Sequence, residues 1–373
     1  VRADGRAKRP LAVVTNYSAH GIVFDVENLF FSGDCLAGME RAIEAQFNTP
    51  VVALQFQGAG GDISPRADGG PKRQRIERFG AFLAPQVMGL WQSAAAITTT
   101  QPALKMLDQR IVLNRTTLGY TGNDVNGEYP HPYGAVQCNA DAPGSGTCVK
   151  APPPSDPTDT NDNGHNENDS FVPQDTRVSV AQIGDAILML QPAEPLAEHG
   201  LRLIEDGENL GMNRKNLFIW GYSTDHVGYI LPDLKTDWDL GGTEGTTTFW
   251  GWKQGGRIQK SNKDLLTALK NNTAPPAHEI AILYTTKPAT PKTPSVTAMA
   301  GRIITQPTAI KRFATTEFVW EGGDPVIDFP IVTLEMQTGT GWQPMRRVNG
   351  TVVNRFHEAW LEYLLDGSTH TWT

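Results

Sequence analysis

Residues 53–65 read Ala-Leu-Gln-Phe-Gln-Gly-Ala-Gly-Gly-Asp-Ile-Ser-Pro. The apolar segment from Val51 to Phe56 predicts a short strand, and the glycines after it predict a sharp turn that ends on Ser64. Pro65 stiffens the exit from this turn and disfavours a helix at the serine. The stretch predicts a serine held at a strand end among backbone N–H groups, which suits a nucleophile or a polar substrate anchor. A glycine-rich turn with a solvated serine is the alternative.

Three other apolar segments lead to polar or aromatic side chains in the same way. Strands predicted at 11–16, at 186–190 and at the start of 217–229 are followed by His20, Glu194 and Tyr229. Because ligands bind beyond the carboxyl ends of strands in open α/β sheets, we expect these side chains and Ser64 to converge on one site. The alternatives are a hydrogen-bonded core histidine, a charge at a helix N-terminus and a packed aromatic ring.

The first part of the chain alternates between strand and helix patterns. The predicted order is strand 11–16, helix 36–47, strand 51–56, helix 73–93 and strand 104–113. Strands resume after a polar loop insertion at 120–176, and further helices are predicted at 196–204 and at 261–269, with Ser261 as a candidate cap. We therefore predict an α/β (α+β) layered catalytic domain over residues 1–286.

The texture of the sequence changes near residue 287. Pro288, Pro291 and Pro294 form a linker-like run, and short alternating segments separated by turn residues follow. This pattern predicts a small β-sandwich domain over residues 287–373.

Composition limits the classes of partner. The 373 residues carry a formal net charge of −8 without a basic stripe, which argues against a nucleic-acid partner. No apolar run approaches the length of a transmembrane helix, so we expect membrane contact to be at most peripheral.

The three cysteines bear on the compartment. Cys138 and Cys148 bracket a loop-like segment, and a disulfide between them would fit a secreted, extracellular or periplasmic protein. Two free thiols are the alternative. Cys35 is expected to be a small buried residue at a helix start.

Part of the polar insertion resembles the first half of a calcium loop. Asp159, Asn161 and Asn163 alternate as oxygen ligands do in such loops, and Gly164 follows them. Ser170 stands where the bidentate Glu is expected, so a Ca²⁺ site and a solvated polar insertion are both open.

Five segments together resemble the neutral (non-lysosomal) ceramidases in order and spacing. The family segments are Asn-Phe-x-x-His-Pro, Ser-Ser-Asp-x-x-Gly, Gly-Asp-Val-Ser-Pro, Pro-Gly-Glu-Phe and Gly-Leu-Ser-Asn-x-Tyr-x-x-Tyr. The similar segments of this chain are 16–21, 32–38, 61–65, 192–195 and 221–229.

The resemblance implies a secreted zinc-dependent amidase. His20, Glu194 and Tyr229 would then bind Zn²⁺, Ser64 would be the catalytic serine, and the C-terminal region would be immunoglobulin-like. The implied substrate is ceramide or a related lipid amide, cleaved at its N-acyl bond. Zinc accepts such nitrogen and oxygen ligands, and it polarises amide carbonyls.

The chain departs from the family pattern at several places. The family's His-x-His-Ser-Gly-Pro segment is absent, so we expect an upstream segment or a companion chain to supply a further zinc ligand, and we expect the chain to lack the family's N-terminal segment and C-terminal end. The family has a tyrosine that is thought to stabilise the oxyanion, and residues 237–242, which stand at that place in this chain, contain no hydroxyl side chain. Gly21 replaces a family proline, and Ala59 replaces a family asparagine. A different amide or ester substrate, and a secreted non-catalytic binding protein, are therefore alternatives.

Overall fold

The computed structural model describes residues 2–3, 8–24, 30–65, 72–94, 102–114, 116–120, 173–234, 236, 242–279, 301–311, 316–325, 330–348, 350, 352–353, 361–367 and 369–373. Most of the polar insertion lies outside the described residues. The predicted calcium residues and the predicted Cys138–Cys148 disulfide lie there too.

The helices of the described chain are α1 (Asp34–Glu44), α2 (Lys72–Ala94), α3 (Ala197–Asn209), α4 (Gly242–Thr246) and α5 (Lys253–Asn271), with a 3₁₀ turn at Arg214–Asn216. The strands are β1 (Arg2–Ala3), β2 (Lys8–Arg9), β3 (Ala12–Tyr17), β4 (Phe30–Phe31), β5 (Val52–Gln57), β6 (Leu104–Val112), β7 (Asp175–Ile183), β8 (Ala186–Leu190), β9 (Glu194–Pro195), β10 (Leu217–Trp220), β11 (Tyr229–Ile230), β12 (Ile303–Thr305), β13 (Val319–Glu321), β14 (Glu335–Thr338), β15 (Gly341–Pro344), β16 (Leu361–Asp366) and β17 (Thr369–Trp372).

The first layer is a parallel strand pair covered by two helices. β3 and β5 run in register from Ala12 opposite Val52 to Tyr17 opposite Gln57. Successive side chains of a strand point to opposite faces, so Val13 and Ala53 share one face, which α1 and α2 bury. The predicted β-α-β-α order of this region is confirmed.

The second layer is a mixed sheet in the order β10-β8-β7-β6. β10 and β8 are parallel, whereas β8, β7 and β6 pair antiparallel. Helices α3 and α5 pack against this part of the chain, and the shared core includes Val178, Met189, Leu203, Ile258 and Leu265.

Side-chain and backbone hydrogen bonds join the two layers at the strand ends. The Asn16 amide donates to the carbonyls of Phe56 (3.1 Å) and Ile219 (2.9 Å), and Gly221 N donates to Gln57 O at 3.0 Å. The rings of Phe56 and Trp220 stack with centroids 4.1 Å apart. The carboxyl ends of β3, β5, β8 and β10 therefore meet at one edge, as the sequence predicts.

The predicted start of the last helix is wrong. Helix α5 begins at Lys253, and Ser261 lies inside it, buried, with its hydroxyl donating to Gln109 Oε1 at 2.7 Å. Gly255 and Gly256 in the first turn weaken the helical pattern of the sequence, because glycine lowers helix propensity. A Cβ on Gly255 would stand 1.8 Å from Leu231 O, so close packing requires glycine there.

The C-terminal region is built from short antiparallel strands. One sheet has the order β12-β13-β17-β16-β4, and β14 and β15 form a hairpin. Strand β4 comes from the first part of the chain, with Phe31 paired to Leu361 and its ring stacked 5.9 Å from Trp372. The division at residue 286 and the immunoglobulin-like assignment stay predictions.

Within the described ranges, no helix combines the length and the apolar character needed to cross a bilayer.

His199 of α3 provides a test of the packing behind the site. Its side chain is fully buried, and burial, followed by the nearby charge of Arg202, lowers its pKa from about 6.5 to about 3. Between those pH values only the unfolded chain binds the proton, so the free energy of unfolding should fall by about 1.4 kcal/mol for each pH unit of acidification. We expect His199→Gln to remove this slope in urea unfolding between pH 6 and pH 4.

The matched control is Ile258→Val in the same core. This variant should lose about 1 kcal/mol at every pH and keep the parent slope. A parent protein whose stability is flat over this range would contradict the buried, neutral state of His199.

Candidate active site

Glu194 and Tyr229 are brought together by their backbones. Strands β9 and β11 pair in parallel with Glu194 opposite Tyr229, through hydrogen bonds from Glu194 N to Gly228 O (3.1 Å) and from Leu196 N to Ile230 O (3.1 Å). The buried Gln254 amide of α5 donates to the carbonyls of Val227 and Tyr229 and so fixes the position of β11. The pairing places the two predicted ligands side by side.

His20 is held above this pair by its own loop. Its backbone N donates to Ile63 O at 2.9 Å, and the Gln57 amide both donates to and accepts from the backbone of Ala19. The His20 ring reaches the carboxylate of Glu194, with Nε2 3.9 Å from Oε2, and lies 6.3 Å from the Tyr229 ring, centroid to centroid. The structure thus brings all three predicted metal ligands to one place.

The segment at 32–38 anchors the far side of the His20 loop. The Asp34 carboxylate accepts the backbone N–H groups of Val23 (3.0 Å) and Phe24 (2.9 Å), and the Cys35 thiol lies 3.5 Å from His20 O. Burial, followed by the charge of Asp34, raises the pKa of Cys35 to about 12. Cys35 is therefore a buried neutral thiol, as predicted, and its role is to pack the loop.

The serine loop lies directly against Glu194. Gly61 N donates to Pro195 O at 2.9 Å, and the Asp62 carboxylate accepts Ala197 N at 2.8 Å, which caps the first turn of α3. A Cβ on Gly61 would stand 2.7 Å from Glu194 O and 3.1 Å from the Tyr229 ring. Ser64 follows Ile63, the partner of His20 N, and its side chain is exposed.

Two side chains that the sequence analysis did not assign also contact Glu194. The Tyr222 hydroxyl donates to Oε2 at 2.8 Å, and His226 Nε2 lies 3.4 Å from Oε1. Both residues belong to the turn between β10 and β11. The available signal was that these two residues lie seven and three positions before Tyr229, but the direction of their side chains depends on the turn conformation.

The turn between β10 and β11 has a strained backbone that hydrogen bonds hold in place. Tyr222 and Thr224 have left-handed backbones, with φ of 55° and 78°. Such conformations cost about 1–3 kcal/mol each in residues other than glycine, and they persist only where the surroundings fix them. Here Tyr222 N donates to Ala193 O, Ser223 N donates to Gln191 O, and Asp225 accepts Arg177 N at 2.8 Å.

The carboxylate of Glu194 is kept ionised by its donors. Burial alone would raise its pKa, but hydrogen bonds from His226, Tyr222 and Tyr229, with the charge of His20, outweigh burial and lower the pKa. Burial and then the same carboxylate raise the pKa of Tyr222 and of Tyr229. The site therefore pairs an anionic acceptor with phenols that keep their protons.

The donor set of the site suits zinc by its chemistry. Within the part of the chain that the structure describes, no three His, Cys, Asp or Glu side chains are close enough to hold a metal ion. The predicted set instead combines imidazole, carboxylate and phenol. His20 Nε2 donates to Gly61 O at 2.9 Å, which leaves the Nδ1 lone pair for a metal and matches the carbonyl partner that metal-binding histidines usually have.

Substitution of Gly61 tests the contact between the serine loop and Glu194. Gly61→Ala should lower stability by about 1–3 kcal/mol, because its Cβ would push the loop away from Glu194 and Tyr229. Urea unfolding measures this loss. Gly89→Ala is the control, since a Cβ there meets no atom within 4 Å in helix α2 and should stabilise slightly. Equal stability of the two variants would contradict the packing described.

Two solved structures have a fold similar to that of this chain. The chain is similar to a solved neutral ceramidase from Pseudomonas aeruginosa at 14% identity, with a TM-score of 0.64 over 97% of this chain. It is similar to a solved ceramidase complexed with C2 at 15% identity, again with a TM-score of 0.64 over 97% of this chain. No protein-family model and no curated protein sequence matches the chain.

The likeness establishes that the chain has the fold of the neutral ceramidases. This chain spans 62% of the length of the Pseudomonas aeruginosa ceramidase chain and 63% of the chain of the ceramidase complexed with C2.

Proposed function

We propose that the protein is a zinc-dependent amide hydrolase that cleaves the N-acyl bond of ceramide or a related lipid amide, releasing a fatty acid and an amine. The observation that carries the proposal is the convergence of His20, Glu194 and Tyr229 at strand ends, with the exposed Ser64 directly after Ile63, whose carbonyl accepts the backbone N–H of His20. The ceramidase-like fold supports the choice of substrate.

The three converging side chains would hold the metal. Zinc bound there would polarise the amide carbonyl and lower the pKa of a water molecule or hydroxyl group. Three protein ligands leave a fourth position open for water or substrate, which is the usual arrangement of catalytic zinc sites. A further ligand from another segment or chain stays part of the proposal, and water or substrate would then bind as a fifth ligand.

The protein's own groups would then position the reactants. Glu194 stays ionised and so remains an acceptor, while its donors keep it from turning toward solvent. Ser64, exposed at the end of its turn, would attack the carbonyl or anchor the substrate while water attacks. In the net reaction the C–N bond breaks, the acyl carbon gains a hydroxyl group from water, and the amine nitrogen gains the proton.

The substrate remains the finer part of the proposal. Ala59, which replaces the family's asparagine, is partly buried against the core, and a Cβ on Gly200 would meet it at 2.4 Å. Alanine offers no side-chain hydrogen bond where the family has an amide, so we expect the substrate surface of this loop to differ from the family pattern. Hydrolysis of another amide or an ester is the competing outcome, and a panel of acyl amides and esters separates the two.

Three further elements of the proposal rest on the sequence. They are secretion, a Cys138–Cys148 disulfide and a Ca²⁺ site at Asp159, Asn161 and Asn163. Mass spectrometry of the non-reduced protein tests the disulfide.

Two substitutions separate the metal from the nucleophile. In the zinc-loaded protein, His20→Ala should lose both bound zinc and release of fatty acid from an N-acyl sphingoid base. Ser64→Ala should keep zinc and lose activity by at least about a hundredfold. Zinc is measured by elemental analysis and the fatty acid by chromatography, and a chelator should abolish the activity that added zinc restores.

Ser93→Ala is the matched control, because Ser93 is exposed in α2 and its hydroxyl donates to Gly89 O of the same helix. It should behave as the parent protein. Parent-like turnover in either site variant would refute the assigned roles, and a parent protein that hydrolyses no member of the panel would favour the non-catalytic binding protein.

A further inference from the structure

The two oxygens of Glu194 have different surroundings. Oε2 faces His20 Nε2 at 3.9 Å and accepts the Tyr222 hydroxyl at 2.8 Å. Oε1 lies 3.4 Å from His226 Nε2. A carboxylate oxygen has two lone pairs, so Oε2 can accept the phenol and still bind a cation.

The ring of His226 is oriented as a donor to Glu194. Gly228 N lies 3.4 Å from Nδ1, and a backbone N–H can only donate, so Nδ1 is the acceptor of the ring. In the neutral ring Nε2 then carries the proton and donates it to Oε1. A metal-binding histidine would direct its second nitrogen at an acceptor, as His20 does with Gly61 O.

The backbone of the turn between β10 and β11 places Tyr222 and His226 in contact with Glu194. Tyr222 adopts φ of 55° although glycine would adopt that conformation without strain. Its ring is not required by the core, because the residue is 41% exposed. The strained position therefore delivers one group to the site, which is the hydroxyl on Oε2.

We propose that Tyr222 and His226 are positioning residues that hold the Glu194 carboxylate in the orientation that binds metal. His226 fixes Oε1, and Tyr222 takes one lone pair of Oε2 and leaves the second lone pair of that oxygen for a cation. The inference rests on the proposed function, because it assigns these residues to the zinc site proposed above. Outer partners of this kind typically change metal affinity by about 10- to 100-fold.

Zinc affinity and melting temperature together test the inference. Competition with a chromophoric chelator should show Tyr222→Phe and His226→Leu binding zinc about 10- to 100-fold more weakly than the parent. His226→Gln should restore most of the affinity, because the glutamine amide can donate from the place of Nε2. Tyr17→Phe is the control, since Tyr17 lies 37% exposed at the end of β3 against Phe79.

Tyr222→Gly separates positioning from a structural role. Glycine relieves the left-handed strain, so this variant without zinc should melt no lower than the parent protein without zinc, while its zinc affinity falls. If Tyr222 were structural, the melting temperature would fall as well, and that result would overturn its assignment.

The remaining outcomes are distinct from one another. Parent-like zinc affinity in Tyr222→Phe and His226→Leu would overturn this inference alone. Failure of His226→Gln to restore affinity would show that His226 binds the metal directly and would overturn its assignment as a positioning residue. A parent protein that binds no zinc would defeat the proposed function together with the inference.

Discussion

The parallel pairing of Glu194 with Tyr229 is the constraint on which the site depends. It joins two segments that follow different strands, and it fixes a carboxylate and a phenol on neighbouring positions of one backbone ladder. Several other parts of the site contact this pair. The serine loop packs Gly61 on the Glu194 carbonyl, His20 lies over the carboxylate, and Gln254 supports β11 from the core.

Placing an ionised carboxylate in this partly buried position costs free energy, because burial favours the neutral form. The structure offsets that cost with hydrogen-bond donors. His226, Tyr222 and Tyr229 hydrogen bond to Glu194, and together with His20 they lower its pKa. A site that holds a carboxylate in this way is prepared for a cation, since the anion is already formed and oriented.

Much of the fold and part of the site could be predicted from the sequence. Apolar runs bounded by glycine, proline and asparagine predicted the strands that precede His20, Ser64, Glu194 and Tyr229, because strand ends are marked locally. The approach of Tyr222 and His226 to Glu194 could not be predicted, because two left-handed residues held by distant carbonyls set their direction.

The pairing of Phe31 with Leu361 could not be predicted from the sequence either, because a two-residue strand carries no periodic signal. The start of α5 was missed for another reason. Its glycines break the helical pattern and yet are required by the close approach of Leu231.

The central claim is that one metal ion binds where these elements meet, and anomalous scattering at the zinc edge tests it most directly. Crystals of the protein grown with zinc should show a peak bounded by His20, Glu194 and Tyr229, close to Ser64. A zinc peak elsewhere, or an ordered site in which Glu194 keeps its phenol and imidazole partners without zinc, would contradict the account.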